Sequence, residues 1–149
     1  MSTPKTVPFE TTLHVRDTCL CLHTQRAARA LAKHFDDALR PVGLTNGQFS
    51  LLMSLNRPGP APMGAVADLL ALDRTTLTAA LKILDRRKLV KITANPADKR
   101  GRLLSLTSAG RTLLAKATPI WVREHAAIDR LLGPGNPEKL RSLLNRISA

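Results

Sequence analysis

Aromatic residues are scarce in this chain of 149 residues, which has three Phe, one Trp and no Tyr. These rings are scattered along the sequence: Phe9, Phe35, Phe49 and Trp121. Proteins that read single-stranded RNA stack bases on grouped aromatic side chains. The composition therefore disfavours that function, although a basic RNA-binding protein stays open as an alternative because its charge would fit.

Cysteines and long apolar segments are also few. Cys19 and Cys21 do not make a disulfide framework, and their spacing would point them to opposite sides of a helix. No apolar run approaches the roughly 18 residues of a membrane span. Residues 1–10 lack the apolar core of a signal peptide. We expect a cytoplasmic protein that does not contact membranes.

The motifs that carry most enzymatic chemistry are missing as well. The sequence has no Gly-rich phosphate loop, no HExxH, no Gly-x-Ser-x-Gly and no metal-spaced cluster of Cys and His. We therefore expect no catalytic residues, no metal and no cofactor, and we do not expect an enzyme.

Positive charge is the strongest feature that is present. The chain has 23 Lys and Arg against 11 Asp and Glu, a net charge of +12. Residues 73–102 alone carry nine cations and three carboxylates. Such an excess implies a polyanionic partner or an anionic surface.

The segment after Asp73 predicts a capped amphipathic helix, because Asp is a preferred N-cap residue and suits the positive end of a helix dipole. Apolar residues recur at the spacing of one buried face: Leu77, Ala80, Leu81 and Leu84. The opposite face carries Thr75, Thr78, Ala79, Lys82 and Arg86. Hydroxyls, a methyl group and cations suit a DNA major groove. An ordinary solvated surface helix would have the same pattern.

A basic hairpin is predicted directly after this helix. Residues 89–93 and 103–107 are β-prone runs around a tip that holds turn formers: Asn95, Pro96, Asp98 and Gly101. The cations of the tip are Lys99, Arg100 and Arg102, placed where a wing would follow phosphates or enter a minor groove. DNA would repel Asp98, so we expect its carboxylate to hold an arginine, Arg100, in position.

Five segments of this region form a recognisable combination. They are Ala67-Asp68-Leu69-Leu70, Asp73-Arg74-Thr75-Thr76-Leu77-Thr78, Leu84-Asp85-Arg86-Arg87-Lys88-Leu89-Val90, Asp98-Lys99-Arg100-Gly101-Arg102 and Leu106-Thr107-Ser108-Ala109-Gly110. Together they resemble the MarR (multiple antibiotic resistance regulator) family of bacterial transcription factors, with its acidic-x-Arg wing signature at Asp98 and Arg100. The resemblance is continuous from about Thr45 to Gly110. Lys88 departs from it, standing where the family usually has Gly. Ala61-Pro62-Met63-Gly64 departs too, lacking a Ser or Thr helix cap.

The resemblance implies a mainly α fold with a small β-hairpin wing, in which a winged helix-turn-helix is joined to interlocking N- and C-terminal dimerisation helices. We expect one domain over 1–149, with dimerisation helices in 12–40 and 107–149 and the winged helix-turn-helix in 45–106. The local signals agree with this layout. They are the helix stop at Pro41, a capping box of Thr45 and Gln48, a short helix over 63–71, a Thr107 cap, a kink at Pro119 and a helix start at Asn136-Pro137.

A transcriptional repressor that binds double-stranded operator DNA as a homodimer is the function that the resemblance implies. The residues assigned to DNA are Arg74, Thr75, Thr76, Thr78, Lys82, Arg86, Lys99, Arg100 and Arg102, with Asp98 supporting the wing.

Two kinds of signal are open for such a regulator. Members of the family typically bind a small aromatic acid or phenol, for which this chain offers cations and apolar walls: Arg16, His23, Phe49, Met53 and Trp121. Others sense peroxides through a cysteine of the first helix, and Cys21 or Cys19 would take that role here. The peroxide-sensing branch supports its thiol with tyrosines, which this chain lacks. Release by a small aromatic ligand is therefore favoured.

Overall fold

The computed structural model describes residue 2 and residues 5–149, which form two compact units, Met1–His34 and Phe35–Ala149. The first unit contains α1 (Phe9–Thr18) and most of α2 (Leu20–Leu39), which continues into the second. None of the described residues of the first unit is buried. The core therefore lies in the second unit.

The helical segment predicted for residues 12–40 is present as two helices, α1 and α2, because the helix is interrupted at Cys19. This residue has extended backbone angles, φ −67° and ψ 112°. Its N–H still closes α1 by donating to the carbonyl of Val15 at 2.9 Å. Its thiol sulfur accepts the backbone N–H of Leu22 at 3.5 Å and so occupies the N-cap position of α2. The two cysteines were expected to point to opposite sides of one helix. Cys19 instead lies between two helices, and only Cys21 lies in α2.

The start of the second unit follows the predicted signals. Pro41 lies in a short 3-10 turn, Arg40–Val42, that ends α2. The capping box before α3 (Asn46–Ser54) is confirmed: the hydroxyl of Thr45 accepts the N–H of Gln48 at 3.2 Å, and the Gln48 side chain accepts the N–H of Thr45 at 3.0 Å. The core that α3 joins is built mainly of leucine, and its largest fully buried side chains are Leu39, Leu51, Leu52, Leu55, Leu77, Leu81, Leu84 and Leu104.

The winged part consists of β1 (Ala61–Pro62), α4 (Met63–Leu70), α5 (Arg74–Arg86), β2 (Val90–Asn95) and β3 (Asp98–Leu106). The strands form an antiparallel sheet in the order β1-β3-β2. The predicted two-stranded wing thus omitted β1, whose Ala61 pairs with Leu104. A strand of two residues gives no alternating pattern, and its proline is tolerated at the sheet edge.

The hairpin differs from the prediction in its strand lengths. Only Pro96 and Ala97 separate the strands, because β3 begins at Asp98. Asn95 pairs with Asp98, whereas the preceding Ala94 pairs with Arg102. Residues 99–101 therefore form a bulge in β3, and the tip cations lie on or beside this bulge instead of in an open loop.

The turn between α5 and β2 has a left-handed residue, Lys88, with φ +58°. It keeps the two hydrogen bonds of a Schellman motif: Lys88 N–H to Asp85 O at 2.9 Å and Leu89 N–H to Leu84 O at 3.0 Å. Lysine in place of glycine at such an angle costs about 1–2 kcal/mol. The departure from the family pattern therefore leaves the turn in place.

Two helices complete the chain, α6 (Ser108–Leu132) and α7 (Asn136–Ser148). The Thr107 cap of α6 is confirmed, since its hydroxyl accepts the N–H of Gly110 at 3.0 Å. Pro119 lies inside α6 and does not end it. Among the described residues, no helix is both long and apolar enough to cross a membrane.

Gly110 of α6 packs directly against the backbone that precedes β2, and this contact leads to a stability prediction. A Cβ atom at Gly110 would lie 2.1 Å from the carbonyl oxygen of Leu89, which is backbone and cannot swing away. We expect Gly110→Ala to lower the free energy of unfolding by about 3 kcal/mol, measured by urea denaturation.

Gly47→Ala is the matched control, because no atom lies within 4 Å of a Cβ added in that exposed helical position. It should change the free energy of unfolding by less than about 1 kcal/mol. Equal effects of the two substitutions would show that the contact with Leu89 does not limit stability.

Candidate nucleic-acid interface

The helix α5 presents the buried and exposed faces that its sequence predicted. Leu77, Leu81 and Leu84 are buried. The polar side is exposed throughout: Arg74, Thr75, Thr76, Thr78, Ala79, Lys82 and Arg86. Hydroxyls, one methyl group and cations are thus held on a rigid helix of 13 residues.

Asp73 fixes the start of this helix. Its carboxylate accepts the backbone N–H of Thr76 at 2.7 Å. This backbone hydrogen bond, with a further one from the Thr76 side chain, lowers the pKa of Asp73 below its ordinary value. The cap therefore stabilises α5 fully above the ordinary aspartate range and is lost as the pH falls through the lowered pKa.

The start of α5 and the wing bulge share one cleft of about 430 Å³. Arg74 and Arg102 both line it, together with the carboxylates of Asp73 and Asp98. The structure therefore brings predicted DNA contacts from the two elements to one side of the molecule.

Asp98 supports the wing in a different way from the one predicted. Its Oδ1 accepts the backbone N–H of Arg100 at 3.0 Å, and among the described residues no ion pair with an arginine is found. A Cβ at Gly101 would lie 3.3 Å from Asp98 Oδ2, so the bulge is folded tightly around this carboxylate. The carboxylate therefore shapes the backbone that carries the cations.

Two residues, one in α5 and one at its C-cap, were missed by the sequence analysis. Ile83 is 48% exposed beside the polar face, where an apolar side chain could contact a thymine methyl group. Arg87 donates from Nη1 to the carbonyl oxygen of Gly43 at 2.8 Å. A pairing over 44 residues of sequence leaves no local signal.

Part of the predicted ligand set lies together. Phe49, Met53 and Trp121 line a cavity of about 500 Å³, completed by Ser50, Ser54, Leu69 and Leu70. The rings of Phe49 and Trp121 stack with centroids 6.2 Å apart. None of the described side chains that line this cavity is charged. We call it the Trp121 cavity.

The predicted cations and thiols belong to the first unit. Arg16 donates to the Asp17 carboxylate at 2.7 Å, which raises the pKa of Arg16. His23 Nδ1 lies 2.8 Å from the carbonyl oxygen of Cys19. Cys19 is half-buried and Cys21 is exposed, and both are free thiols. Their roles in sensing stay predictions.

Comparison with known proteins places the chain among transcription factors. The profile of the MarR family matches residues 42–101. The chain is similar to the transcriptional regulator MOSR of M. tuberculosis, solved in complex with DNA, with 36% identity, a TM-score of 0.80 and coverage of 88% of this chain and 94% of that one.

Two further solved structures are similar. The transcriptional repressor CouR, bound to a 23-mer DNA duplex, is 31% identical, with a TM-score of 0.80 and coverage of 91% of this chain and 96% of that one. BpsR of Bordetella bronchiseptica, whose DNA binding is regulated by 6-hydroxynicotinic acid, is 26% identical, with a TM-score of 0.77 and coverage of 87% and 92%.

The role of Asp98 can be tested by comparing Asp98→Asn with Asp98→Ala. An asparagine side chain can still accept the N–H of Arg100, whereas alanine cannot. We expect Asp98→Ala to lower the hydrogen-exchange protection of the Arg100 amide about fivefold, as for one lost hydrogen bond, and Asp98→Asn to leave it nearly unchanged. If the carboxylate acted through its charge on an arginine, both variants would lose protection equally.

Proposed function

The chain belongs to the MarR family of DNA-binding transcriptional regulators, and we propose that it is a repressor that binds operator DNA as a homodimer and is released by a small aromatic acid or phenol. The exposed polar face of α5, beside the cationic bulge of the wing, is the observation that carries the DNA-binding part. The solved complexes of MOSR and CouR with DNA support DNA binding as the function.

In this proposal α5 enters the major groove. Thr75 and Thr78 donate to base edges, while Lys82 and Arg86 reach guanine or phosphate. Arg100 and Arg102 of the wing contact the flanking backbone or the minor groove. The helix thus reads sequence, and the wing supplies affinity that depends on salt.

A second copy of the chain is proposed to cover the terminal helices. The apolar residues of α7 stay exposed: Leu140 (43%), Leu143 (45%), Leu144 (39%) and Ile147 (69%). Val15 and Leu20 in the first unit are exposed as well. A two-fold dimer would bury such faces and set two α5 helices in successive major grooves, about 34 Å apart.

The Trp121 cavity is the proposed effector site. Stacked Phe49 and Trp121 provide an apolar wall for a ring, and Ser50 provides a hydroxyl. A phenol needs no more than this, whereas an acid also needs a cation, for which Arg16 and His23 are the proposed sources. Regulation of BpsR by 6-hydroxynicotinic acid supports the aromatic class.

Thiol oxidation is the second candidate signal. Cys19 caps the N-terminus of α2 with its sulfur, and a helix N-terminus favours the reactive thiolate. Oxidation there would alter the acceptor that begins α2. Exposed Cys21, two residues further on, is the other thiol of this alternative.

Recognition by α5 is tested with Thr78→Val, which keeps the shape and removes the hydroxyl, and with Lys82→Ala. Each should weaken operator binding by about 1–3 kcal/mol in an anisotropy titration, with an unchanged melting temperature. Lys116→Ala, which removes an exposed cation from α6, should have little effect on operator affinity. Unchanged operator affinity in both α5 variants would refute the groove assignment.

The wing is expected to behave differently in the same titration. Arg100→Ala and Arg102→Ala should weaken operator and unrelated DNA together, and each should lower the slope of log K against log salt by about one unit. A loss confined to one base position would instead assign the wing to direct readout.

Dimerisation is tested with Leu143→Asp, which places a charge in the apolar face of α7. Analytical ultracentrifugation should show a dimer for the wild type and a shift towards monomer for the variant. Ser142→Asp adds the same charge at the neighbouring exposed position and should stay dimeric. A monomeric wild-type chain would contradict the proposal.

Effector release is tested by titrating the operator with salicylate, benzoate or phenol, and separately with hydrogen peroxide in thiol-free buffer. We expect an aromatic compound to release the DNA, Trp121→Ala to abolish this, and Cys19→Ser and Cys21→Ser to retain it. Arg16→Ala or His23→Ala should remove the response to acids and keep the response to phenol. Release by peroxide alone, lost in a serine variant, would establish the thiol alternative.

A further inference from the structure

We propose that Arg87 does not bind DNA but positions the recognition helix, and that together with Thr107 it transmits the effector signal to α5. The second part rests on the proposed function. Arg87 stands in the run Arg86-Arg87-Lys88, where charge alone would suggest three phosphate contacts. The hydrogen bonds around it indicate a different role.

The guanidinium of Arg87 is hydrogen-bonded within the protein, at the C-terminal end of α5. Arg87 is the C-cap residue of α5, and its Nη1 donates to the carbonyl oxygen of Gly43 at 2.8 Å. Consecutive helical residues diverge by about 100°, so Arg86 can face the groove while Arg87 turns away from it. The cation nearest the end of the helix thus contacts the protein.

The loop that accepts this hydrogen bond has a left-handed residue at Gly43. Gly43 has φ +72°, a left-handed angle that favours glycine. A Cβ added there would lie 3.4 Å from Nη2 of Arg87, which is ordinary contact, so the backbone angle and not crowding favours glycine. The loop is tied in turn to the end of α2, because Gly43 N–H donates to Arg40 O at 2.9 Å and Leu44 N–H donates to Leu39 O at 3.3 Å.

A second hydrogen bond holds the same turn from α6. The hydroxyl of Thr107 donates to the carbonyl oxygen of Lys88 at 2.7 Å, while it accepts the N–H of Gly110. Thr107 N–H also donates to Leu89 O at 3.1 Å. The C-terminal turn of α5 is therefore clamped by Arg87 to the end of α2 and by Thr107 to the start of α6.

The clamp connects the recognition helix with the Trp121 cavity. Trp121 lies in α6, the helix that Thr107 begins. A shift of α6 or of the end of α2 that accompanies ligand binding would reach α5 through these two side chains. Because transmission through packed elements requires demonstrated coupling, both affinity and response must be measured.

The charge-retaining variant separates positioning from phosphate binding. We expect Arg87→Lys and Arg87→Ala to lower operator affinity alike, by about 3- to 30-fold. The two losses should be alike because a lysine cannot reproduce the directed guanidinium hydrogen bond. Both variants should keep the wild-type salt slope, because Arg87 neutralises no phosphate in this proposal. The ratio of operator to random-DNA affinity should fall. Arg86→Ala, the matched control, should lower the salt slope by about one unit. Wild-type affinity in Arg87→Lys, with a lowered slope in Arg87→Ala, would overturn the proposal.

The signalling part is read from the same variants with salicylate and phenol. Trp121 is the only tryptophan of the chain, so its fluorescence reports ligand binding directly. We expect Arg87→Lys to bind the effector as the wild type does. The factor by which the effector lowers operator affinity should fall towards one. Unchanged release would overturn this part. A wild type that no aromatic compound releases would refute the effector proposal, and the salt-slope test would still decide the positioning role.

Thr107 provides an independent arm in case the Arg87 variants unfold. Thr107→Ser keeps the hydroxyl and should retain both operator affinity and release. Thr107→Val keeps the shape and loses the hydrogen bond to Lys88 O, so it should reduce release. Equal behaviour of the serine and valine variants, with melting temperatures like the wild type, would count against the clamp.

Discussion

The carbonyl oxygen of Leu89 stands where three elements of the second unit meet. It accepts the N–H of Thr107 at 3.1 Å, and it lies so close to Gly110 that no side chain fits between them. The N–H of the same residue closes the Schellman turn of α5. The recognition helix, the first wing strand and α6 are thus fixed to one another within a few residues, so the exposed face of α5 has a defined direction relative to the wing.

Carboxylates in this basic region stabilise backbone geometry. Asp73 accepts an N–H at the start of α5, and Asp98 accepts an N–H inside the wing bulge. Among the described residues, neither carboxylate forms an ion pair with an arginine. The cations around them consequently keep their charge for a polyanion. The region remains strongly basic although an acidic residue stands at the start of α5 and another at the wing bulge.

The features that could be predicted from the sequence are those whose cause is local. Thr45, Asp73 and Thr107 cap their helices because each meets an N–H three residues ahead. The break at Cys19 was missed because cysteine is not a preferred cap, although here its sulfur acts as one. The bulge in β3 depends on how Asp98 folds back on the chain, which turn composition alone does not reveal.

Non-local contacts account for the rest of the site. β1 is recognisable only from its pairing with β3. The contact made by Arg87 is recognisable only from its hydrogen bond to the carbonyl oxygen of Gly43. Phe49, Met53 and Trp121, assigned to a ligand by residue type, line the Trp121 cavity, and their role in binding a ligand stays a prediction. The uncharged lining of the cavity was not anticipated, since that depends on which helices meet there.

The size of the clamp limits how strongly a ligand in the cavity can act on DNA binding. Hydrogen bonds of this kind contribute about 1 kcal/mol each to stability, so two of them would transmit at most about 2 kcal/mol per subunit. That corresponds to roughly a 30-fold change in affinity, whereas switching from almost fully bound to almost fully released needs about 10⁴-fold. A two-fold dimer engages two recognition helices at once, and two such contributions approach a 1000-fold change. The proposed dimer therefore does more than match a palindromic site, because it brings a modest coupling within each subunit to within about tenfold of a complete switch.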